Sequence, residues 1–222
     1  MGRKRKYNLN EHCFSTPSPE MYYWLGFITA DGNLLEHQRA LYLSIYLSNK
    51  DANHMIKFRR FCESSHPFYF NKKRPVFCFR FHSKIIFNDI VSYGIVPRKT
   101  YVEHSFISRI PDEYKHYFIA GLFDGDGTVI RKIKKQNQHK KTYYYDYCEV
   151  RILSNNNTMK DISKYLSNNF NFKNTKVKPA YKDLVYKLTF SSKNDLLEFY
   201  KLYSLSPIHL ERKWFRLSSY LI

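Results

Sequence analysis

The chain has 222 residues, enough for one large domain or two small ones with a buried core. Lys and Arg number 37 against 19 Asp and Glu, and the resulting net charge of +18 points to a polyanionic partner, because such a field attracts phosphate and disfavours acidic proteins. The 43% hydrophobic and 18% aromatic content excludes a disordered basic tail protein, and no run approaches the about 20 apolar residues of a membrane span.

In chain order, the start Met1-Gly-Arg-Lys-Arg-Lys6 has no apolar stretch behind it, so no standard secretion signal is expected. An apolar helical run follows, Tyr22-Tyr-Trp-Leu-Gly-Phe-Ile-Thr-Ala-Asp-Gly32, with Gly26 in its middle. Leu41, Leu43, Ile45 and Leu47 then alternate with Tyr42, Ser44, Tyr46 and Ser48. That period of two predicts a strand with one buried face and one wet face of hydrogen-bonding side chains. Met55, Ile56, Phe58, Phe61 and Cys62 fall at helical spacing, and Phe77, Phe79 and Phe81 mark a further strand whose other face shows Arg80 and His82. Pro111 interrupts the pattern within Ser105 to Asp112, which reads as a joint.

Beyond the joint the series starts again. Tyr117-Phe-Ile-Ala-Gly-Leu-Phe-Asp-Gly-Asp-Gly127 repeats the apolar helix, with Gly121 in its middle, and a Lys-rich hairpin follows over Lys132 to Lys141. The strand pattern of Tyr143 to Ser154 slips parity near Leu153, where a bulge is expected. Met159, Ile162, Tyr165 and Leu166 repeat the helix, and Leu184, Tyr186, Leu188 and Phe190 repeat the strand, with Lys187 and Thr189 opposite. Smaller echoes agree: Leu47-Ser-Asn49 with Leu153-Ser-Asn155, Phe81-His-Ser-Lys84 with Phe190-Ser-Ser-Lys193, and Pro97-Arg-Lys99 with Glu211-Arg-Lys213. The offset grows from 95 residues (Asp31 to Asp126) to 114 (Lys99 to Lys213), as insertions in the second copy require. A duplicated unit is expected, with residues 1–108 carrying the basic tail and the first copy, and 109–222 the second.

Cys13, Cys62, Cys78 and Cys148 form no CxxC pair and are expected to be reduced, buried thiols. Cys62-x3-His66 and Cys78-x3-His82 could supply four zinc ligands, but Cys78 and His82 lie in a strand pattern, which favours core thiols and groove-facing histidines.

The two Asp-Gly steps are the unusual feature. An acid at the carboxyl end of a helix meets the negative end of the macrodipole, at a cost of about 0.3–1 kcal/mol. Each Asp-Gly could be a plain turn, yet it occurs twice inside a longer repeat. Gly26 and Gly121, with Ala30 and Gly125 nearer the ends, form a stripe of small residues that lets two helices approach closely. Packed along it, Asp31 and Asp126 meet, and two adjacent carboxylates call for a proton or a hard cation such as Mg2+ between them.

Trp24-Leu-Gly-Phe-Ile-Thr-Ala-Asp-Gly32 and Ile119-Ala-Gly-Leu-Phe-Asp-Gly-Asp-Gly127 resemble the LAGLIDADG signature of homing endonucleases, in the single-chain form with two motifs, and the resemblance covers nearly the whole chain. It implies an α+β fold of two pseudo-symmetric repeats, whose antiparallel sheets form a DNA-binding saddle and whose motif helices meet at Gly26 and Gly121. It further implies a site-specific endonuclease that hydrolyses one phosphodiester per strand across the minor groove and leaves short 3′ overhangs. Asp31 and Asp126 would bind Mg2+ or Mn2+ with Ala30 and Gly125 beside them, Lys99 and Lys213 would stand near the scissile phosphates, and Ser48 or Ser154 would position water. Thr29 departs from the pattern, standing where an acid is common.

The expected DNA-facing set is Tyr42, Ser44, Tyr46, Ser48, Arg80, His82, Arg151, Ser154, Lys187 and Thr189 on the strands, with Arg131, Lys134, Lys135, Lys140 and Lys141 on the long hairpin. Arg80 and Arg151 are placed to read base edges and the lysines to grip phosphate. Double-stranded DNA is the expected partner, intron RNA a second candidate, and the chain is expected to act as a monomer in a bacterial or phage-infected cytoplasm or an organelle.

Two rival readings stand beside this one. Leu122-Phe-Asp-Gly-Asp-Gly-Thr-Val129 also resembles the DxDGT nucleophile motif of haloacid-dehalogenase-like phosphatases, with Asp124 phosphorylated and Asp126 as acid/base. That reading leaves Asp31, the repeat and the charge unexplained. An RNA maturase or non-cleaving binding protein of the same fold is the nearer rival, and retention of both acids and both lysines favours cleavage over it.

Overall fold

The computed structural model describes residues 5–38, 40–71, 75–138, 141–181 and 184–222. The first half runs α1 (Pro19–Asp31), β1 (Gly32–His37), β2 (Ala40–Ser48), α2 (Ala52–Phe61), β3 (Phe68–Asn71), β4 (Val76–His82) and α3 (Lys84–Ser92). The second runs α4 (Lys115–Asp126), β5 (Thr128–Gln138), β6 (Lys141–Ser154), α5 (Asn156–Asn169), β7 (Lys178–Tyr181), β8 (Val185–Phe190), α6 (Lys193–Ser204) and α7 (Glu211–Leu221). Short 3-10 turns occupy Lys99–Tyr101 and Asp112–Tyr114. The expected α+β order thus occurs twice, and the second half adds α7 where the first has only the turn at Lys99. Among the described residues no helix is long and apolar enough to cross a membrane.

Local chemistry sets the boundaries. Ser18 caps α1 by accepting from the Met21 amide, Ser83 caps α3, Asn155 caps α5 and Ser192 caps α6, each satisfying an otherwise orphaned N–H. The strands form two antiparallel sheets of matching order, β1-β2-β4-β3 and β5-β6-β8-β7. Leu43, Ile45, Phe79 and Phe81 on the first sheet, and Val129, Cys148, Val150, Ile152 and Leu188 on the second, bury one face against the helices.

Residues 21–29 of α1 are all buried, and so are 118–124 of α4, because these helices are packed on all sides. They cross where side chains are missing. A Cβ on Gly26 would stand 2.0 Å from the Phe118 carbonyl oxygen, and one on Gly121 would stand 1.9 Å from that of Tyr23. Nearer the ends, a Cβ on Gly125 would meet that of Ala30 at 2.2 Å.

Each half also reaches across to the other. Asn155 donates to the carbonyls of Val102 (2.9 Å) and His104 (3.0 Å), and the Phe106 amide donates to Thr158 Oγ1 at 2.9 Å. In the mirrored position Arg212 pairs with Asp51 at 2.8 Å and Lys57 donates to the His209 carbonyl at 3.2 Å.

Two expectations fail here. Register runs unbroken through Leu153, which pairs with Lys187, and the irregularity lies instead in β7–β8 between Pro179 and Tyr181. Leu153 breaks the alternation because it stands on the polar face, not because the strand bulges. Leu184, expected in the core, precedes β8 and is exposed.

Candidate active site

The close crossing of α1 and α4 brings their carboxyl ends together, and with them Asp31 and Asp126. Burial pushes the Asp31 carboxyl up to about 6, repulsion from Asp126 adds to this, and Lys213 and Lys99 pull against it. Asp126, the more open of the two, is raised by the low-dielectric protein beneath it, with Lys99 and Lys213 opposing.

The two lysines sit at the helix ends. Lys99 Nζ donates to the carbonyl of Gly32, the residue that ends α1. Lys213 is buried and donates to the carbonyls of Phe123 (2.7 Å), Asp124 (2.7 Å) and Gly125 (3.2 Å) at the end of α4. Each lysine therefore neutralises the carbonyl end that made the neighbouring acid look misplaced. Burial lowers Lys213 to about 8, against the attraction of Asp124, Asp31 and Asp126, and lowers Lys99 in the same direction. An open cavity of about 370 Å³ lies alongside, lined by Ala30, Lys99, Asp126, Leu153, Ser154 and Tyr181. Ser48, at the end of β2, is exposed and accepts from the Lys50 amide at 3.4 Å.

Asp124 entered the sequence reading only through the rival phosphatase motif. It is 1% exposed, and its carboxylate accepts from Tyr23 Oη (2.6 Å), Tyr203 Oη (2.6 Å) and the Leu210 amide (2.8 Å). Burial raises it to about 6 despite Lys213 and these donors. His54 Nε2 lies 2.9 Å from the same Tyr23 hydroxyl, and burial holds the imidazole near 3, hence neutral. A carboxylate sealed in this way cannot meet a substrate, which removes the phosphatase reading of Asp124. The available sequence signal was the mismatch between the motifs: Thr29, in the matching place, only returns its hydroxyl to the Leu25 carbonyl at 2.9 Å.

The zinc set does not assemble, since Cys62 is sealed in the core while Cys78 and His82 stand on the polar strand face. Among the described residues no group of three or more His, Cys, Asp and Glu is arranged to hold a metal. The hard oxygens of Asp31 and Asp126, beside the backbone of Ala30 and Gly125, are instead a donor set suited to a hard divalent cation.

Register sorts the expected DNA-facing residues. On the first sheet Tyr42 pairs with His82, Ser44 with Arg80 and Tyr46 with Cys78, on the face away from the helices. Arg80 lies 4.2 Å over the Tyr42 ring. Ser44 is a correction: it points to this face but is 2% exposed, its hydroxyl donating to the Asn33 carbonyl at 3.4 Å. On the second sheet Arg151 pairs with Thr189, Leu153 with Lys187 and Lys134 with Tyr145, which places Arg151, Thr189, Lys187 and Lys134 on the equivalent face. Lys141, opposite Gln138, shares it.

Arg131 and Lys135 are corrections as well. They share the helix-side face with Val129, and Arg131 is bound there to Asp146 (2.8 Å) and to the Ser219 carbonyl of α7 (2.9 Å). Arg151 is held by its neighbour Glu149, an acid on the polar face that the strand pattern did not bring out. Lys140 lies outside the described residues, as do Arg3 and Lys4 of the basic tail.

Residues 113–203 match the family model described as the LAGLIDADG-like domain, so the second half carries that domain. The whole chain is similar in structure to the LAGLIDADG meganuclease I-AabMI bound to uncleaved DNA, at 14% identity and a TM-score of 0.64 over 92% of this chain and 90% of that one. It is also similar to the I-LtrWI LAGLIDADG homing endonuclease bound to target DNA, at 11% identity and a TM-score of 0.61 over 90% and 85% of the two chains. I-SmaMI, bound to an uncleaved DNA target in the presence of calcium ions, gives 14% and 0.60 over 87% and 86%. No curated protein matches the chain in sequence. The chain has the LAGLIDADG endonuclease fold with both of its pseudo-repeats.

Proposed function

We propose that this chain, which carries a LAGLIDADG-like domain in the fold of the LAGLIDADG endonucleases, is a site-specific, divalent-metal-dependent DNA endonuclease that acts as a monomer. The observation that carries the reading is the meeting of Asp31 and Asp126 at the ends of two crossed helices, each end held by a buried or half-buried lysine. A structural helix crossing needs no pair of raised carboxylates. The structural neighbours bound to DNA support duplex DNA as the partner, as does the net charge of +18.

The pseudo-two-fold arrangement offers one lysine and one acid to each strand of an antiparallel duplex laid across both sheets. Asp31 and Asp126 would hold Mg2+ or Mn2+, helped by the carbonyls of Ala30 and Gly125. Such a cation, when bound, polarises a phosphoryl oxygen and acidifies water. Lys213, largely protonated at neutral pH, and Lys99 place positive charge where negative charge develops on the phosphate. Ser154, in the cavity beside Asp126, and Ser48, at the matching end of β2, would orient water there. Tyr42, Tyr46, Arg80, His82, Lys134, Lys187 and Thr189 would face the major groove, and cutting across the minor groove would leave short 3′ overhangs.

The test is cleavage of a supercoiled plasmid library of fragments from the source genome, with Mg2+ or with chelator, by the native chain and the Asp31→Asn, Asp126→Asn double variant. Linearisation at a single long site, seen only with the native chain and metal, is expected. Equal cutting by the variant overturns the assignment of the acids. Binding without cutting by the folded native chain replaces the endonuclease with a non-cleaving binding protein.

A further inference from the structure

The halves differ most in the hairpin after the motif helix. β1 and β2 have 6 and 9 residues, whereas β5 and β6 have 11 and 14, so the second hairpin is longer by five residues on each strand. Counted from the first residue of β1 and of β5, the pair Ile133 and Asp146 corresponds to the last pair of the first hairpin, His37 and Ala40. Beyond it the ladder continues through Lys134–Tyr145, Lys135–Tyr144, Gln136–Tyr143 and Asn137–Thr142. Among the described residues nothing covers the helix-side face of this part: Ile133 and Tyr144 are 66% and 69% exposed.

A two-stranded ribbon without a covering layer is marginal on its own, so its side chains suit a partner rather than a core. Residues 132–145 include five lysines and three tyrosines and contain no acid. Lys134 Nζ lies 3.2 Å over the Tyr147 ring, which orders that cation on the groove face. The major groove of duplex DNA admits a two-stranded β-ribbon of this kind and offers it hydrogen-bonding edges between phosphates. Among the described residues the outer end of the first sheet holds no such ribbon; there Arg5 donates to the His82 carbonyl at 2.8 Å and Tyr7 lies against His66.

Building on the endonuclease reading, we propose that the target is lopsided, the base-specific half-site under the second half reaching about five base pairs further from the cut than that under the first. Five residues of strand span about 17 Å, the rise of about five base pairs.

The test begins with selection of tightly bound duplexes from a randomised library by the native chain. A second selection uses a variant in which residues 134–145 are replaced by Asn-Gly, a dipeptide suited to a two-residue hairpin. That deletion leaves second-half strands of 6 and 9 residues, equal to those of the first half. Native sites with one arm about five base pairs longer are expected. The variant should lose the extra positions on that arm only, cut the same phosphates, and show a log–log salt slope reduced by about two to four, since four lysines leave with the ribbon. Should the shortened chain not fold, Tyr143→Ser with Tyr145→Ser is expected to weaken discrimination at the outermost positions of the longer arm. Symmetric native sites, or an unchanged site and slope in the variant, overturn the proposal while leaving the endonuclease reading intact. A native chain that binds no duplex overturns both.

Discussion

Lys99 and Lys213 stand at matching ends of the motif helices and are held in different ways. Lys99 follows Arg98, which adopts a left-handed φ of 57°, and rests on the Gly32 carbonyl beside an open cavity. Lys213 is fixed from both sides, by three carbonyls of α4 and by the start of its own helix, where the Leu210 amide donates to Asp124. Asp124 in turn is clamped by Tyr23 from the first half and Tyr203 from the second. Thr29 gives Lys99 no such support. On the proposed function, Asp124 would be a positioning residue for one lysine and hence for one strand. Asp124→Asn keeps the shape but removes the charge, and hydrogen bonds to charged groups are worth about 1.5–3 kcal/mol. Cleavage of one strand should slow by about 10–100-fold while the other proceeds, so that nicked circles accumulate. Primer extension should map the nick to the same strand for Asp124→Asn and for Lys213→Met, the one complementary to the strand that both variants slow. Equal slowing of both strands would reduce Asp124 to a general structural role. The Tyr203→Phe variant should show the same bias more weakly.

At the scale of elements the molecule depends on one helix crossing. Gly121→Ala puts a methyl group 1.9 Å from the Tyr23 carbonyl oxygen, a backbone atom that moves only if α1 moves. Overpacking usually costs about 1–3 kcal/mol, and a backbone clash belongs at or above the top of that range. Urea denaturation should show a loss of about 3 kcal/mol or more for Gly121→Ala, against no more than about 0.5 for Lys160→Ala on the exposed side of α5. This crossing was legible in the sequence because two small residues recur at one place in a repeated apolar run. The strands β2 and β4 were legible from their alternation. What failed did so where neighbours override pattern. Val129, Ile130 and Ile133 do not alternate, so parity in β5 could not be counted, and Arg131 and Lys135, expected to meet DNA, lie on the helix-side face. Ser44 has the right parity but is covered by the surrounding sheet. Asp124 was visible only as the nucleophile of the rival phosphatase motif, because its partners Tyr23, Tyr203 and Leu210 lie 101, 79 and 86 residues away.

For the molecule as a whole, the centre is an electrostatic load that a cation should relieve. The folded value of Asp31, about 6, lies above its ordinary 3.8, so the folded state binds this proton more tightly than the unfolded chain does. The contribution is stabilising at low pH and fades as pH rises from about 4 to about 6. Lys213, at about 8 instead of 10.5, has the opposite history: burying its charge costs stability at neutral pH, and the cost falls as pH climbs through 8. On the proposed function, a divalent cation would take the place of the proton between Asp31 and Asp126 only once both are ionised. The gap in stability with and without Ca2+ should therefore open as pH rises from about 5 to about 7. At a hundredfold excess over the dissociation constant the gain is about 2.7 kcal/mol, or roughly 5–10 °C for a chain of this size. Asp124, also near 6 but sealed from solvent, adds the same pH trend with or without metal and so cancels in the difference. Thermal unfolding across that pH range, with Ca2+ and with chelator, reads the effect without any cleavage. A shift that ignores pH, or that survives in the Asp31→Asn, Asp126→Asn variant, would place the cation elsewhere on the molecule.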